Sequence, residues 1–506
     1  MARSMRSYCG LDMPRTLAPA RGAAKRPLRG RTCRPGPVTA RISPAGAARS
    51  GPGSGHDRHP VRDPSPPRLL TSRASQASRA SRASRRGSSR PAAFLSTAGA
   101  SALYIGALLG PACCSCRARG AGGGPASLVA WLGLLALSGL IAAVFCGLGT
   151  RLGSSGGVAG YTAAGLGRGR AGPRVVLPGG VVAGAPVVCL IGGSYAAAAV
   201  GADGGAAVRA GLVLLAVVLA VRLLGVRTGA GLQLVLVSAL VGLVLFAVIG
   251  AAPAARAAHW TPFLPHGWTG VAQAAPPLMF AFVGWEAAAS LTTRLRDPRR
   301  QLRRVVLIAF AVTSLLCLGL AAATVAVLGP GAGGSVPLAD LMRAAIGDRG
   351  PLLAAGAALV LTLAATNTYL TGAAALLDAL LPSGAAAGRR GALAVPAATA
   401  LIGVPLFALV GSGLLTTAQL VAVPTALFLT VYLTCTASAV RVLTGAPRLA
   451  AAVSCPAVLA LLLGTGWPVL AAAAVALTAA ATDRTGDRST FERSAAAREG
   501  SPAGGV

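Results

Sequence analysis

Acidic residues and lysine are scarce in this sequence. Among 506 residues there are 13 aspartates and glutamates, only three of them glutamates, and the single lysine is Lys25. Charged residues make up 12% of the chain, whereas a soluble protein carries about a quarter. A P-loop needs a lysine at the end of its glycine-rich turn. Because Lys25 has no such context, ATP hydrolysis by that motif is excluded.

Enzyme and metal motifs are also missing. The sequence has no H-E-x-x-H pattern, and no nucleophile elbow in a strand–turn–helix context. The ten cysteines show no pairs at zinc spacing. The histidines lie outside the apolar runs, at His56, His59, His259 and His266. We therefore predict a protein that is not an enzyme and has no metal site or cofactor.

Long apolar runs dominate what remains. The chain is 54% hydrophobic with a mean hydropathy of +0.67, and a membrane-spanning helix needs about 20 apolar residues. The runs predict an all-α polytopic membrane protein with about 12 spans. The predicted spans are 94–114, 126–148, 176–200, 207–226, 230–252, 269–293, 303–329, 351–381, 391–411, 413–439, 447–464 and 466–482.

Arginines are concentrated in every second connection between these spans. Such connections face the cytoplasm in most membrane proteins, so the pattern predicts a cell-membrane protein with both termini cytoplasmic. The external connections carry fewer charges of mixed sign. The arginines of the predicted inner connections are Arg151, Arg168, Arg170, Arg174, Arg222, Arg227, those from Arg294 to Arg304, Arg389, Arg390, Arg441 and Arg448.

Two polar segments flank the apolar region. Residues 1–91 hold 20 basic and three acidic residues, include the low-complexity run "SRASQASRASRASRR", and lack the apolar stretch of a secretory signal. Disorder is the expectation there. A nucleic-acid-binding or anionic-lipid-binding tail, and a start codon placed too far upstream, are the alternatives. Residues 92–482 form the predicted membrane domain with its twelve spans, and 483–506 a polar cytoplasmic tail.

Glycine breaks occur in two spans that lie five spans apart. The first span contains Gly106, Gly110 and Pro111, and the sixth contains Gly284. Unwound backbone survives in a bilayer only where it lines a cavity. Matched discontinuous helices are typical of inverted-repeat transporters, whose half-helix N-termini suit a substrate carboxylate. The pair of breaks therefore predicts a midplane binding site.

Polar side chains inside the spans are the second signal. An ionised carboxylate at the bilayer midplane costs roughly 2.5–3.5 kcal/mol, yet Glu286 follows Gly284 directly and has no basic residue at matching depth. We predict gating or proton coupling by Glu286; hydrogen bonding to an unwound backbone is the structural alternative. Asn367, the only asparagine, and Thr366 lie in the eighth span. They either line the substrate path or form interhelical hydrogen bonds.

Several stretches resemble one known family. "MFAFVGWEAAASLTTRLRDPRRQLRRVVLIAF" (279–310), "ALYIGALLGP" (102–111), "SSGGVAGY" (154–161) and "VPLADL" (336–341) are similar to motifs of the amino acid–polyamine–organocation superfamily. The similarity is greatest to its exporters and permeases with a Gly-Trp-Glu sixth span.

The resemblance implies a LeuT-type fold: a 5+5 inverted repeat plus two C-terminal helices. It also implies that an amino acid binds the backbone at the two breaks. The implied substrate-binding residues are Gly106, Gly110, Pro111, Ala112, Phe282, Val283, Gly284 and Trp285. Unlike proton-coupled members, the chain has no lysine in its fifth span.

The predicted function is secondary active transport of amino acids by alternating access. The bilayer and an amino acid are the expected partners, H⁺ is a candidate coupling ion, and no nucleic acid is expected. One alternative is a disrupted, non-transporting member, because "PACCSCRARGAGGGP" (111–125) places cysteines and arginines at the end of the first span. Read one base out of register, its cysteine codons would encode leucine. A membrane-tethered nucleic-acid-binding protein is a further alternative.

Overall fold

The computed structural model describes most of the apolar region and none of the two polar segments. The described residues are 94–112, 125–153, 157–167, 172–226, 229–265, 267–329, 332, 334–380 and 387–477. The predictions for 1–91, for 483–506 and for the cysteine-rich stretch from Cys113 lie outside these residues.

Helices account for nearly all of the described chain. In chain order they are α1 (Thr97–Ala112), α2 (Ser127–Leu152), α3 (Gly157–Leu166), α4 (Gly172–Ala199), α5 (Gly204–Leu223), α6 (Ala230–Ala251), α7 (Gly267–Met279), α8 (Ala287–Leu291), α9 (Pro298–Leu328), α10 (Pro337–Ile346), α11 (Arg349–Leu380), α12 (Ala387–Gly411), α13 (Thr417–Val442), α14 (Ala446–Gly464) and α15 (Pro468–Leu477).

The predicted span count agrees with this helix set. In the described part of the chain, nine helices are long and apolar enough to cross a membrane. The shorter apolar helices α1 and α15, and the discontinuous segment α7–α8, bring the number of segments to twelve. The chain is therefore a multi-pass helical membrane protein, as its composition predicts.

The clearest differences from the predicted spans are two additional helices and one early helix start. The sixth span, predicted over 269–293 with a break at Gly284, is interrupted between Met279 and Ala287. The helices α3 and α10 are additional, and neither was predicted, because both lie in connections. The seventh span begins at Pro298 instead of 303. It starts early because the Asp297 side chain accepts a hydrogen bond from the Arg300 N–H and so caps the helix.

Packing between the spans repeats itself after a shift of five. Helix α4 (span three) packs on α11 (span eight), α5 (span four) on α12 (span nine), and α2 (span two) on α9 (span seven). In each pair the two spans are five apart. Helix α1 packs on α9 and α6, while the corresponding α7 packs on α2 and α13. Because five is odd, the second set of five spans crosses the membrane in the opposite direction to the first. This is the predicted LeuT-type 5+5 arrangement, followed by α14 and α15.

Candidate substrate-binding site

The sixth span is open between α7 and α8. After Met279 the chain makes a 3-10 turn over Phe280–Phe282 and continues through an extended Val283. Gly284 has φ +134°, a conformation that L side chains rarely adopt. A Cβ at Gly284 would lie 3.1 Å from the Ala107 carbonyl oxygen of α1. The break therefore requires glycine for its backbone angle and for the close approach of α1.

A buried tyrosine on α13 holds this break. The Tyr432 hydroxyl accepts hydrogen bonds from the N–H groups of Gly284 (3.0 Å) and Trp285 (3.2 Å). It donates in turn to Glu286 Oε2 at 2.7 Å. One side chain from another helix thus accepts hydrogen bonds from two backbone N–H groups that have no helical partner at the break, as a non-helical segment in a membrane requires.

Glu286 takes part in the same network through one oxygen. Oε2 also accepts from the Gly284 N–H at 3.1 Å, and the side chain is 7% exposed. Oε1 is buried and accepts no hydrogen bond from the described residues. The two ion pairs found in those residues are Arg300–Asp297 and Arg343–Asp340, so Glu286 is not in a salt bridge there.

Trp285 faces the protein interior on the other side of the break. Its carbonyl accepts from the Tyr104 hydroxyl at 3.0 Å, and its Nε1 donates to Ser138 Oγ at 2.8 Å. The Tyr104 and Trp285 rings meet edge to face at 5.5 Å. Trp285 thereby fastens the sixth span to α1 and α2. Both its backbone N–H and its carbonyl are occupied by protein groups in this conformation.

A small cavity lies beside the break, between α4, α11 and α13. Its volume is about 30 Å³, which is the share of one water molecule in the liquid. Among the described residues, no charged side chain lines it. The lining residues are Gly180, Val181, Gly184, Ala185, Val188, Phe280, Val283, Ala365, Thr366, Tyr369 and Phe428. An amino acid does not fit this volume unless the walls move.

Five of the sequence-predicted residues lie at the cavity or at the break beside it. Val283 and Thr366 line the cavity. Gly284, Trp285 and Glu286 form the hydrogen-bonded break beside it.

Asn367 does not line the cavity. Its Nδ2 donates to the Val226 carbonyl at 3.0 Å, which ties α11 to the connection between α5 and α6. Phe282 is fully buried and packs edge to face on Trp131, at 5.6 Å. Both residues make structural contacts in this conformation.

The first span is not unwound where the sequence suggested. Helix α1 runs through Gly106, Gly110 and Pro111 and ends at Ala112, so the stretch predicted to be open is helical here. Gly106 serves close packing instead, because a Cβ there would collide with the Gln233 side-chain amide of α6. Residues 113–124 lie beyond the described part of this region.

Sequence reasoning missed several contributors to the site. Tyr432 is not part of a recognisable motif, and the sequence shows only a tyrosine within an apolar span. Gly180 and Gly184 of α4 leave the space that forms the cavity, with Phe428 as its opposite wall. Their four-residue spacing places both glycines on one helix face, a signal that was available but not specific.

Comparison with known proteins decides the family. Residues 91–482 match the sequence model of the amino acid permease family. This match covers well over half of the chain. The chain belongs to the amino acid permease family.

Individual relatives are distant. The uncharacterized amino acid permease YecA of Bacillus subtilis is 26% identical over 265 residues, covering 52% of this chain and 62% of YecA. The branched-chain amino acid permease BcaP of the same organism is 28% identical over 93 residues, covering 18% of this chain and 20% of BcaP. The chain thus spans less than two thirds of the length of these relatives.

A mutant manganese transporter of Eremococcus coleocola is among the similar solved structures. It has 13% sequence identity and a TM-score of 0.48, and the match covers 77% of this chain and 92% of that one. Membership in a permease family agrees with the prediction that the chain is not an enzyme.

Proposed function

We propose that this permease is a secondary active transporter of amino acids across the cell membrane, working by alternating access. The observation that carries the proposal is the sixth-span break, whose two backbone N–H groups donate to Tyr432 beside a small cavity. Backbone donors at a helix break suit a substrate carboxylate. The positive-inside pattern of the loops supports cytoplasmic N- and C-termini.

Glu286 and Tyr432 form the gate in this proposal. A substrate carboxylate and the Tyr432 hydroxyl compete for the same N–H groups of Gly284 and Trp285. Substrate binding therefore displaces Tyr432 and breaks its 2.7 Å bond to Glu286. Glu286 is then left buried with neither its tyrosine donor nor a salt bridge. Because desolvation favours the neutral carboxyl, uptake of a proton at this step would couple H⁺ to transport.

The cavity lining favours amino acids with apolar side chains. Thr366 and Tyr369 are its polar residues, and the remaining walls are aliphatic, aromatic or glycine. A charged substrate side chain would lose its hydration there without gaining a partner. The name of BcaP, a branched-chain amino acid permease, supports the same choice. A neutral, aliphatic amino acid is the substrate class we propose.

Flux of radiolabelled amino acids into proteoliposomes tests the proposal. We expect uptake of aliphatic amino acids by the wild type, and slower uptake with a flattened pH dependence for Glu286→Gln. Flux of no amino acid would favour the disrupted, non-transporting alternative. Unchanged flux and pH dependence in the variant would remove the gating role of Glu286.

Two further variants separate the remaining alternatives. Deletion of residues 1–91 is expected to leave transport intact. Loss of all function would favour the alternative in which the basic segment carries the function. Gly184→Ala adds a methyl group whose nearest neighbour is Pro424 Cβ, at 3.6 Å. That contact is ordinary, so the fold should tolerate it. We expect uptake of leucine to fall more than uptake of alanine, and equal losses would argue against this cavity as the substrate site.

A further inference from the structure

A second and larger concavity lies at one end of the bundle. It has a volume of about 490 Å³ and is formed by the end of α2, the start of α9 and the connection between α13 and α14. Three arginines line it: Arg151, Arg299 and Arg303. The other lining residues are Ala143, Cys146, Gly147, Thr150, Thr444, Gly445, Ala446 and Pro447. We refer to it as the arginine pocket.

The arginine pocket carries positive charge without a counter-charge. No acidic residue lines it, and none of its three arginines is in an ion pair with the described residues. Arg299 and Arg303 are four residues apart on one face of α9, where like charges repel. Arg151 makes one hydrogen bond, from Nη1 to Thr444 Oγ1 at 3.4 Å. Three guanidinium groups around one concavity favour an anion with several acceptor oxygens, and phosphate fits this description.

The walls change from basic to apolar along α2. Ala143, Gly147, Thr150 and Arg151 follow each other on one face of the helix. At 1.5 Å per residue, Ala143 lies about 12 Å along the axis from Arg151, towards the middle of the apolar span. A soluble phosphate has no apolar atoms to contact the apolar part. A phospholipid fills both parts, with its headgroup at the arginines and its chains against the helix.

We propose that the arginine pocket binds an anionic phospholipid, with Arg151, Arg299 and Arg303 around its phosphate. Basic pockets between spans at the cytoplasmic surface are known sites for anionic lipid headgroups, and the loop from Arg294 to Arg304 is the most basic of the predicted inner connections. The lipid bridges α2, α9 and the connection between α13 and α14. The site is separate from the substrate cavity and does not depend on the proposed transport activity.

The test compares the purified full chain in neutral detergent with added phosphatidylglycerol, phosphatidylcholine or inorganic phosphate. We expect phosphatidylglycerol to raise the thermal unfolding temperature by several degrees, and the other two additives to have little effect. High salt should weaken the effect, because the contacts are partly exposed. Equal stabilisation by inorganic phosphate would overturn the lipid assignment in favour of a soluble anion. No stabilisation by phosphatidylglycerol would overturn the site.

Neighbouring arginines on α9 provide a matched control. The double variant Arg299→Gln/Arg303→Gln removes two pocket charges, whereas Arg300→Gln/Arg304→Gln removes two charges of the same helix turn that do not line the pocket. We expect at least about tenfold weaker phosphatidylglycerol binding, measured by native mass spectrometry, for the pocket variant only, since the loss of even one of its two charge-assisted contacts has about that effect. Equal weakening in the control variant would show non-specific attraction and overturn the proposal.

Discussion

Replacement of Tyr432 by phenylalanine tests the centre of the proposed gate. The change removes one hydroxyl and leaves the ring, which packs edge to face on Phe145 at 5.6 Å. The Gly284 N–H keeps an acceptor, since Glu286 Oε2 lies 3.1 Å away. The Trp285 N–H loses the acceptor that it has at 3.2 Å. An orphaned buried donor costs about 1–3 kcal/mol.

That cost falls on the conformation in which the Tyr432 hydroxyl contacts Gly284, Trp285 and Glu286, here called the closed form. A shift of about 1–3 kcal/mol changes the equilibrium between closed and open forms by about 5–150-fold. Since alternating access passes through the closed form, we expect slower amino acid uptake into proteoliposomes for Tyr432→Phe. The thermal unfolding temperature should fall as well, because the closed form loses stability.

Tyr161→Phe is the matched control. Tyr161 is equally buried and also contacts Phe145, with ring centroids 6.4 Å apart. Its hydroxyl makes no hydrogen bond to Val283–Glu286 in the described structure. We expect this variant to transport at nearly the wild-type rate. Equal losses in the two variants, or wild-type uptake and stability for Tyr432→Phe, would refute the assignment of Tyr432 to the gate.

Two further predictions follow from single positions. Gly284→Ala should abolish uptake and lower the thermal unfolding temperature, because φ +134° and the Ala107 carbonyl at 3.1 Å both disfavour a Cβ. Strain of this kind costs about 1–3 kcal/mol. The control is Gly319→Ala, where a Cβ meets no atom within 4 Å. Asp340 lies on the short helix α10, outside the long apolar spans, and partial burial raises the pKa of its carboxyl. A raised folded-state pKa means that stability is highest below the ordinary carboxyl range and falls as pH rises through the folded value. Asp340→Asn should therefore be more stable than the wild type at neutral pH, with the difference disappearing on acidification; a difference in unfolding temperature that is independent of pH would contradict this.

The span pattern shows how much local sequence can predict. Apolar runs of about 20 residues give the number and rough limits of the spans, because the bilayer sets a length that each run must meet. The α14 helix, predicted at 447–464, occupies Ala446–Gly464. The α3 and α10 helices escaped prediction because connections are not constrained by bilayer thickness.

The two glycine breaks show where such prediction ends. In sequence, Gly106, Gly110 and Gly284 give the same signal, a small residue inside an apolar span. In the structure Gly284 opens its span, whereas α1 remains helical through Gly106 and Gly110 to Ala112. The difference depends on neighbours from distant parts of the chain. Gly284 meets Ala107 and Tyr432, while Gly106 accommodates the Gln233 amide.

The sequence by itself determined the membrane class, the twelve segments, the resemblance that led to the permease family, and Glu286 as the carboxylate in the sixth span. These properties follow from hydropathy and from contiguous motifs. Only the tertiary structure decided what Glu286 contacts, which helices surround the cavity, and that Arg151 joins Arg299 and Arg303. Tyr432 lies 146 residues beyond Glu286 along the chain. Such contacts form when helices pack, so a local sequence pattern does not predict them.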